Sequence, residues 1–211
     1  MVNEPRYRSE HETVTDTGVD MVTQELTKGT GGNVSARTDD GNVVISPSGV
    51  PYDDIDLEER PTVTVNGEQV AGDLSPSSET PMHTTVYAGR ADIGGIVHTH
   101  SPYTSTFASL REPIPASSYL IAYAGHEVPV AGYAPPGSEE LANDALDALG
   151  ETTNACLLAN HGVLAIGDSE KSVRKRPHRR TLCPDPLPGK RHRRSGSPQR
   201  SGGRRPDHGV R

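Results

Sequence analysis

The chain has 211 residues, of which 32% are hydrophobic, and it contains no Trp and one Phe, so we expect one domain with an aliphatic core. No stretch approaches the roughly 18 apolar residues that a membrane-spanning helix needs, and the N-terminus lacks the apolar segment of a secretion signal, which predicts a cytoplasmic protein without membrane contacts. Residues 1–168 carry 25 Asp and Glu against 7 Lys and Arg, a balance that argues against nucleic acid as their partner, whereas residues 169–211 carry 3 against 14.

Short strands and helices alternate irregularly through residues 1–168, a pattern typical of an α/β domain. Ser77 and Ser78 would cap the start of a helix that has Pro81 in its first turn. In chain order the pattern predicts a strand at Val43–Ile45, a hairpin with Asn66-Gly67 at its tip, that helix within 79–90, a strand within 91–101, a helix within 101–110, an amphipathic helix ending at Gly150, and an apolar strand within 154–167.

Residues 169–211 are rich in Arg, Pro, Ser and Gly and have almost no apolar periodicity, which predicts a disordered tail. A basic arm that binds nucleic acid is the functional alternative. The abrupt change of composition is also what GC-rich coding DNA gives when it is read in a shifted frame. In that case the domain of residues 1–168 would lack its C-terminal helices.

Three histidines at predicted strand ends are candidate metal ligands. His98 and His100 lie one residue apart, and because successive strand side chains point to opposite faces, both imidazoles would lie on one face. His161 comes at the end of another apolar stretch and precedes Gly162. Three neutral imidazoles with one position left open fit a catalytic zinc site. The structural alternative is that each is an ordinary strand-end histidine satisfied by the backbone.

Three further stretches are suited to binding phosphate. Residues 29–37, GTGGNVSAR, combine three glycines with an Asn, so that their N–H groups can approach an anion closely. Residues 46–49, SPSG, form a second turn, and Ser77-Ser78 at a helix start adds unpaired N–H groups and the favourable end of the helix dipole. Each is also a common turn or cap. None matches a Walker A or Rossmann motif, which argues against a nucleotide-binding fold.

In this order and spacing, GTGGNVSAR, ISPSGVPYDDI, SSETPMHTTVYAGRADIGGIVHTHSPY and LLANHGVLAIG resemble the class II aldolase/adducin family, and within it the L-fuculose-1-phosphate aldolases. The resemblance covers about residues 20–168. It implies a three-layer α/β/α fold around a mostly antiparallel sheet. It also implies a homotetramer with active sites at subunit interfaces, and a lyase that holds one Zn²⁺ per subunit.

The resemblance also implies roles for individual residues. Zinc would lie on His98, His100 and His161, and Glu79 would be the catalytic acid/base that also reaches the metal when substrate is absent. Tyr119 matches a tyrosine that acts from the neighbouring subunit near the aldehyde part of the substrate. The substrate phosphate would lie among Gly32, Asn33, Ser48, Gly49, Ser77 and Ser78.

The implied reaction cleaves the C3–C4 bond of a ketose 1-phosphate and yields dihydroxyacetone phosphate and a small aldehyde such as L-lactaldehyde. A divalent cation can stabilise the resulting negative charge as a Lewis acid, so no Schiff-base lysine is needed. Lys28, the only lysine before residue 171, lies beside the proposed phosphate loop rather than in an apolar pocket. His83 would share a helical face with Glu79, where we expect it to pack or to support a metal ligand rather than to bind the metal.

Other functions occur within the same family. L-Ribulose-5-phosphate 4-epimerases typically have Asp where this chain has Glu79, so the glutamate favours an aldolase; a methylthioribulose-1-phosphate dehydratase is a second alternative. A non-catalytic adducin-like protein would lack metal ligands, whereas all three histidines are present here. The basic residues 169–211 as a nucleic-acid-binding module form the alternative of another class.

Overall fold

The computed structural model describes residues 6–168, which form one α/β domain. All three interpretations of residues 169–211 therefore lie outside the described residues. Within the described range the helices are α1 Arg8–Thr23, α2 Thr80–Gly89, α3 Pro102–Leu110 and α4 Glu139–Leu149, with short 3₁₀ helices at Tyr52–Asp54 and Tyr119–Tyr123. None of these helices is long and apolar enough to cross a membrane.

A single eight-stranded sheet runs through the middle of the domain. Its spatial order is β4-β3-β2-β1-β5-β8-β7-β6, and every neighbouring pair is antiparallel except β6 and β7. The strands are β1 Asn33–Arg37, β2 Val43–Ile45, β3 Thr62–Val63, β4 Gln69–Ala71, β5 Gly95–Thr99, β6 Val130–Ala131, β7 Ala155–Leu158 and β8 Gly162–Gly167. The prediction of a mostly antiparallel sheet is confirmed.

Helices cover both faces of this sheet. Neighbouring strand residues point to opposite sides, and since both sides carry apolar residues, each side packs against helices. Ile96 packs in a cluster with side chains of α2 and α4, whereas Val97, next to it in β5, packs with side chains of α1. On β8, Leu164 joins the first of these clusters and Val163 joins a third cluster that includes Ala108 of α3. The architecture is the predicted three-layer α/β/α sandwich.

The apolar stretch 154–167 is two strands rather than the single strand that was predicted. Strands β7 and β8 pair antiparallel and are joined by a tight turn over residues 159–161. Asn160 has φ 56° in this turn, a left-handed conformation that Asn adopts more readily than most residues. A continuous apolar run therefore hid a hairpin, and His161 lies in its turn rather than at a strand end.

The N-terminal part of the domain differs from the expectation in two ways. No element was predicted over residues 8–23, where α1 lies, because the buried face of this helix includes His11, Thr17 and Gly18 as well as apolar side chains. Helix α2 begins at Thr80 with Glu79 as its N-cap. The N-cap is thus two residues after Ser77 and one after Ser78, the two predicted capping residues.

Candidate metal centre

Four side chains that could bind a metal meet beside the C-terminal end of β5. Each of Glu79, His98, His100 and His161 offers one potential ligand atom, and these four atoms lie within 4.8 Å of one another. Strand β5 contributes His98 near its end and His100 just beyond it, while Glu79 comes from the start of α2 and His161 from the β7–β8 turn. The fold thus brings together residues that are up to 82 positions apart in the sequence.

The cluster is tight and mostly buried. The Nε2 atoms of His98 and His100 are 2.8 Å apart. Glu79 reaches both strand regions, since its Oε2 lies 3.3 Å from His98 Nε2 and its Oε1 lies 3.6 Å from His161 Nε2. His98 is fully buried and Glu79 is 6% exposed.

Hydrogen bonding and burial keep the imidazoles ready to act as ligands. The Nδ1–H of His98 donates to the carbonyl of Val163 at 3.0 Å, because a carbonyl can only accept, and this leaves the Nε2 lone pair facing the cluster. Burial lowers the pKa of His98 well below its ordinary value, and the nearby His100 and His161 lower it further. Burial, followed by the charge of His161, also lowers the pKa of His100. Neutral imidazoles are the form that binds metal.

The donor set fits a divalent cation. The Nε2 atoms of His98 and His100, 2.8 Å apart, share either one hydrogen of a neutral imidazole or a cation that accepts both lone pairs. Within the described residues, Glu79 Oε1 and His161 Nδ1 are buried and make no hydrogen bond. Three imidazoles and one carboxylate are donors that zinc prefers in a four-coordinate site. The cluster can therefore hold such an ion.

Two glycines allow this close approach. A Cβ atom on Gly162 would lie 2.3 Å from the carbonyl oxygen of Thr99, 3.0 Å from a ring carbon of His100 and 3.2 Å from one of His98. Gly32 has φ 70°, and a Cβ there would lie 2.5 Å from the carbonyl oxygen of His98. Both positions accept only glycine without movement of the chain that carries the histidines.

The stretches predicted to bind phosphate also approach Glu79. The N–H of Ser48 donates to the carbonyl of Ser75, and the N–H of Ser77 donates to the carbonyl of Ser46, so residues 46–49 lie beside residues 75–78. The hydroxyl of Ser77 accepts the N–H of Glu79 at 3.2 Å. The structure thus brings residues 46–49 beside residues 75–78, and Ser77 contacts the backbone of Glu79.

Asn33 contacts the carboxylate of Glu79 directly, and His83 contacts Asn33. The side-chain Nδ2 of Asn33 donates to Glu79 Oε2 at 2.9 Å, and its Oδ1 faces His83 Nε2 at 2.5 Å. His83 Nδ1 in turn lies 2.6 Å from the hydroxyl of Ser35. Ser35 was not identified from the sequence, although it alternates with Asn33 on β1, and that spacing was the available signal.

Tyr119 stands apart from the cluster. It lies in the 3₁₀ helix Tyr119–Tyr123, where 84% of its surface is exposed. Among the described residues, no hydrogen bond or ring contact joins it to the four clustered side chains. The action of Tyr119 from a neighbouring subunit, which the resemblance implies, stays a prediction.

Comparison with known proteins identifies the family. Residues 12–176 match the model of the Class II Aldolase and Adducin N-terminal domain. The chain belongs to the class II aldolase and adducin family. The match spans the four clustered residues and extends a few residues past the domain boundary predicted at 168.

Several relatives are named as aldolases of sugar phosphates. The chain is 44% identical to "5-deoxy-D-ribulose 1-phosphate aldolase" of Bacillus thuringiensis serovar kurstaki over 78% of this chain and 77% of that protein. It is 40% identical to "5-methylthioribulose-1-phosphate/5-deoxyribulose-1-phosphate aldolase" of Rhodospirillum rubrum over 76% and 72%. A solved structure of "L-fuculose 1-phosphate aldolase" superimposes with a TM-score of 0.74 at 39% identity, covering 80% of this chain and 81% of that one. The chain is accordingly a metal-dependent class II aldolase, a carbon–carbon lyase.

Proposed function

We propose that this aldolase cleaves a ketose 1-phosphate to dihydroxyacetone phosphate and a small aldehyde, with Zn²⁺ bound by His98, His100 and His161, and by Glu79 as well while substrate is absent. The observation that carries the proposal is the cluster itself. Burial lowers the pKa of His98 and of His100, and the carboxylate of Glu79 has one hydrogen-bonded oxygen and one oxygen without a hydrogen bond among the described residues. Alternative activities of the family are less favoured, because the relatives described above are aldolases.

The relatives support a substrate with phosphate on C1. L-Fuculose 1-phosphate would give L-lactaldehyde as the second product, and a 5-deoxyribulose 1-phosphate would give acetaldehyde, since both are cut between C3 and C4. The 44% identity to a 5-deoxy-D-ribulose 1-phosphate aldolase supports the shorter sugar, and the 39% identity to an L-fuculose 1-phosphate aldolase supports the fuculose type. Both sugars share the three carbons that become dihydroxyacetone phosphate.

The roles of the side chains follow from their positions. A cation held by the cluster supplies Lewis-acid stabilisation of the negative charge that bond cleavage leaves on the ketose fragment. Glu79 moves the proton at the carbon where this charge develops, because its free Oε1 lies on the cluster side. Asn33 holds the other oxygen, Oε2, and so fixes the plane of the carboxylate.

The phosphate would bind in the turns beside Glu79. Ser48 and Gly49 are exposed there, as is Ser78, so an anion can reach them from solvent. The hydroxyl of Ser77 accepts from Glu79 N–H and can donate its own hydrogen to a phosphate oxygen. Gly32 would add its backbone N–H in the glycine-rich loop. Asn33 would add its own backbone N–H and the second hydrogen of its side-chain amide, since the first is donated to Glu79.

Tyr119 would complete the site of a neighbouring subunit in a homotetramer. Its exposed ring, together with exposed Tyr123 and Tyr133, supports a surface that another copy of the chain covers. A tyrosine hydroxyl supplied across the interface would contact the aldehyde portion of the substrate.

The test is metal content and turnover of the purified chain. Release of dihydroxyacetone phosphate is followed by its reduction with a coupled dehydrogenase, separately with L-fuculose 1-phosphate and 5-deoxyribulose 1-phosphate. We expect about one zinc per chain and turnover with at least one of the two sugars. The variant His98→Ala should lose both metal and turnover. His126→Ala is its matched control, because His126 is an exposed histidine outside the cluster. A zinc-loaded chain that releases no dihydroxyacetone phosphate from either sugar would contradict the proposal.

A further inference from the structure

A row of buried polar side chains leads from Glu79 into the domain. After Asn33 come His83, Ser35 and Tyr87, with contacts of 2.5 Å between Asn33 and His83, 2.6 Å between His83 and Ser35, and 3.0 Å between Ser35 and Tyr87. All four are at least 97% buried. Strand β1 contributes alternate residues 33 and 35, and helix α2 contributes residues 83 and 87, one turn apart behind Glu79.

The chemistry of the first three groups fixes the direction of their hydrogen bonds. The carboxylate of Glu79 can only accept, so the NH₂ of Asn33 must face it. The amide oxygen of Asn33 then faces His83, and because an amide oxygen only accepts, His83 must carry its hydrogen on Nε2. One tautomer of His83 is therefore compatible with an ionised Glu79.

The other end of the row agrees with this tautomer. Burial lowers the pKa of His83 to about 3, so the ring is neutral and its Nδ1 is an acceptor. The hydroxyl of Ser35 then donates to Nδ1 and accepts from the hydroxyl of Tyr87. Asn33, His83 and Ser35 each donate one hydrogen bond and accept one along the row, and no two donors or two acceptors face each other.

We propose that His83 is a positioning residue for Glu79 and acts through the side-chain amide of Asn33. Without the Nε2–H donor, the Asn33 amide could rotate and present its oxygen to the carboxylate, which would repel it. His83 prevents this rotation, and the held carboxylate keeps Oε2 in its hydrogen bond and Oε1 on the cluster side. The inference rests on the proposed function, in which Glu79 moves a proton.

Two substitutions separate the halves of this row. His83→Gln is long enough to present an NH₂ donor near the position of Nε2, so it can keep the contact with Asn33. His83→Asn is shorter and can accept from Ser35 near the position of Nδ1, but it cannot reach Asn33. Both remove the ring and both place an amide in the same buried site, so each is the matched control of the other.

We expect kcat of His83→Asn to fall about 10- to 100-fold while KM and metal content stay near those of the wild type. His83→Gln should keep kcat within about threefold of the wild type. A purely structural role for His83 predicts instead that both variants lose activity in step with their thermal stability. Equal losses in the two variants, or wild-type kcat in His83→Asn, would overturn the proposal.

A readout without activity keeps the inference separate from the proposed function. In the full chain labelled with ¹⁵N-histidine, the His83 resonances, identified by their loss in His83→Gln, should show the Nε2–H tautomer. Crystal structures of the two variants should show the Glu79 carboxylate turned away from Asn33 in His83→Asn and unmoved in His83→Gln. An Nδ1–H tautomer, or an unmoved carboxylate in His83→Asn, would contradict the inference even if the wild type cleaved neither sugar.

Discussion

The metal centre and the exposed tyrosines Tyr119, Tyr123 and Tyr133 differ in how far their side chains find partners within one chain. In the metal centre, side chains from β1, α2, β5 and the β7–β8 turn pair with one another inside a single chain. Tyr119, Tyr123 and Tyr133, by contrast, expose 84%, 53% and 56% of their area. A single chain thus assembles the candidate metal ligands and orients Glu79 by itself, whereas the proposed contact of Tyr119 with the aldehyde end of the substrate would need a second copy.

The first and largest expected effect comes from removing a buried imidazole. His98→Ala should lose the metal and lower turnover at least about 10⁴-fold, as does loss of a central catalytic group. Metal content by elemental analysis and kcat/KM with the ketose 1-phosphate are the measurements, with His126→Ala as control. Retained metal in His98→Ala would show that the cluster is not the metal site.

Glu79→Gln separates metal binding from proton transfer. We expect kcat to fall roughly 10²- to 10³-fold because an amide cannot take up the proton, while the three histidines still retain metal. Glu68→Gln, an exposed glutamate of the hairpin, is the matched control. Wild-type kcat in Glu79→Gln would assign the proton transfer to another group.

Gly162→Ala tests how closely the β7–β8 turn must approach β5. Its Cβ would lie 2.3 Å from the carbonyl oxygen of Thr99, so the turn that carries His161 has to move. We expect metal affinity, measured by competition with a chelator, to fall about 10- to 100-fold. Gly41→Ala provides a comparison at a glycine where no atom lies within 4 Å, although its φ of 85° adds backbone strain of its own. Unchanged affinity in Gly162→Ala would mean that the turn can shift without disturbing His161.

Tyr119→Phe is expected to have the smallest effect and belongs to the other region. Loss of one hydrogen bond to the substrate should lower kcat about 10-fold, with metal content unchanged. Tyr133→Phe, which changes another exposed tyrosine in the same way, is the control.

Mixed assemblies of two weakened variants test whether Tyr119 acts across a subunit interface. When Tyr119→Phe and Glu79→Gln chains are dissociated and reassembled together, some interfaces should join an intact Glu79 to an intact Tyr119. Activity above the average of the two separate variants would then appear. Its absence, in assemblies shown to contain both chains, would mean that Tyr119 acts on the site of its own chain or on none.

The elements that the sequence predicted well are those with a local periodic signal. Helices α3 and α4 and the hairpin at Asn66-Gly67 follow from apolar spacing and turn residues. Strand alternation also anticipated that His98 and His100 share a face. Helix α1 was not predicted because its buried face is partly polar. The β7–β8 turn was not predicted because the residues on both sides of it are continuously apolar.

The buried support of the site could not be predicted, because it depends on strand register. Asn33 lies opposite His98 in the pairing of β1 with β5, which brings its amide within reach of Glu79. Nothing local to residue 33 indicates that partner, 46 positions away. Spacing on α2 alone places His83 near Glu79, but the contact between them runs through Asn33.

The most direct test of the central claim is metal removal and restoration on the wild-type chain. The protein is stripped with a chelator, and release of dihydroxyacetone phosphate from the ketose 1-phosphate is measured as Zn²⁺ is added back. Our account predicts no turnover in the stripped protein and recovery that reaches its maximum at about one Zn²⁺ per chain. Full turnover in the stripped protein, or none after one Zn²⁺ per chain has bound, would contradict it.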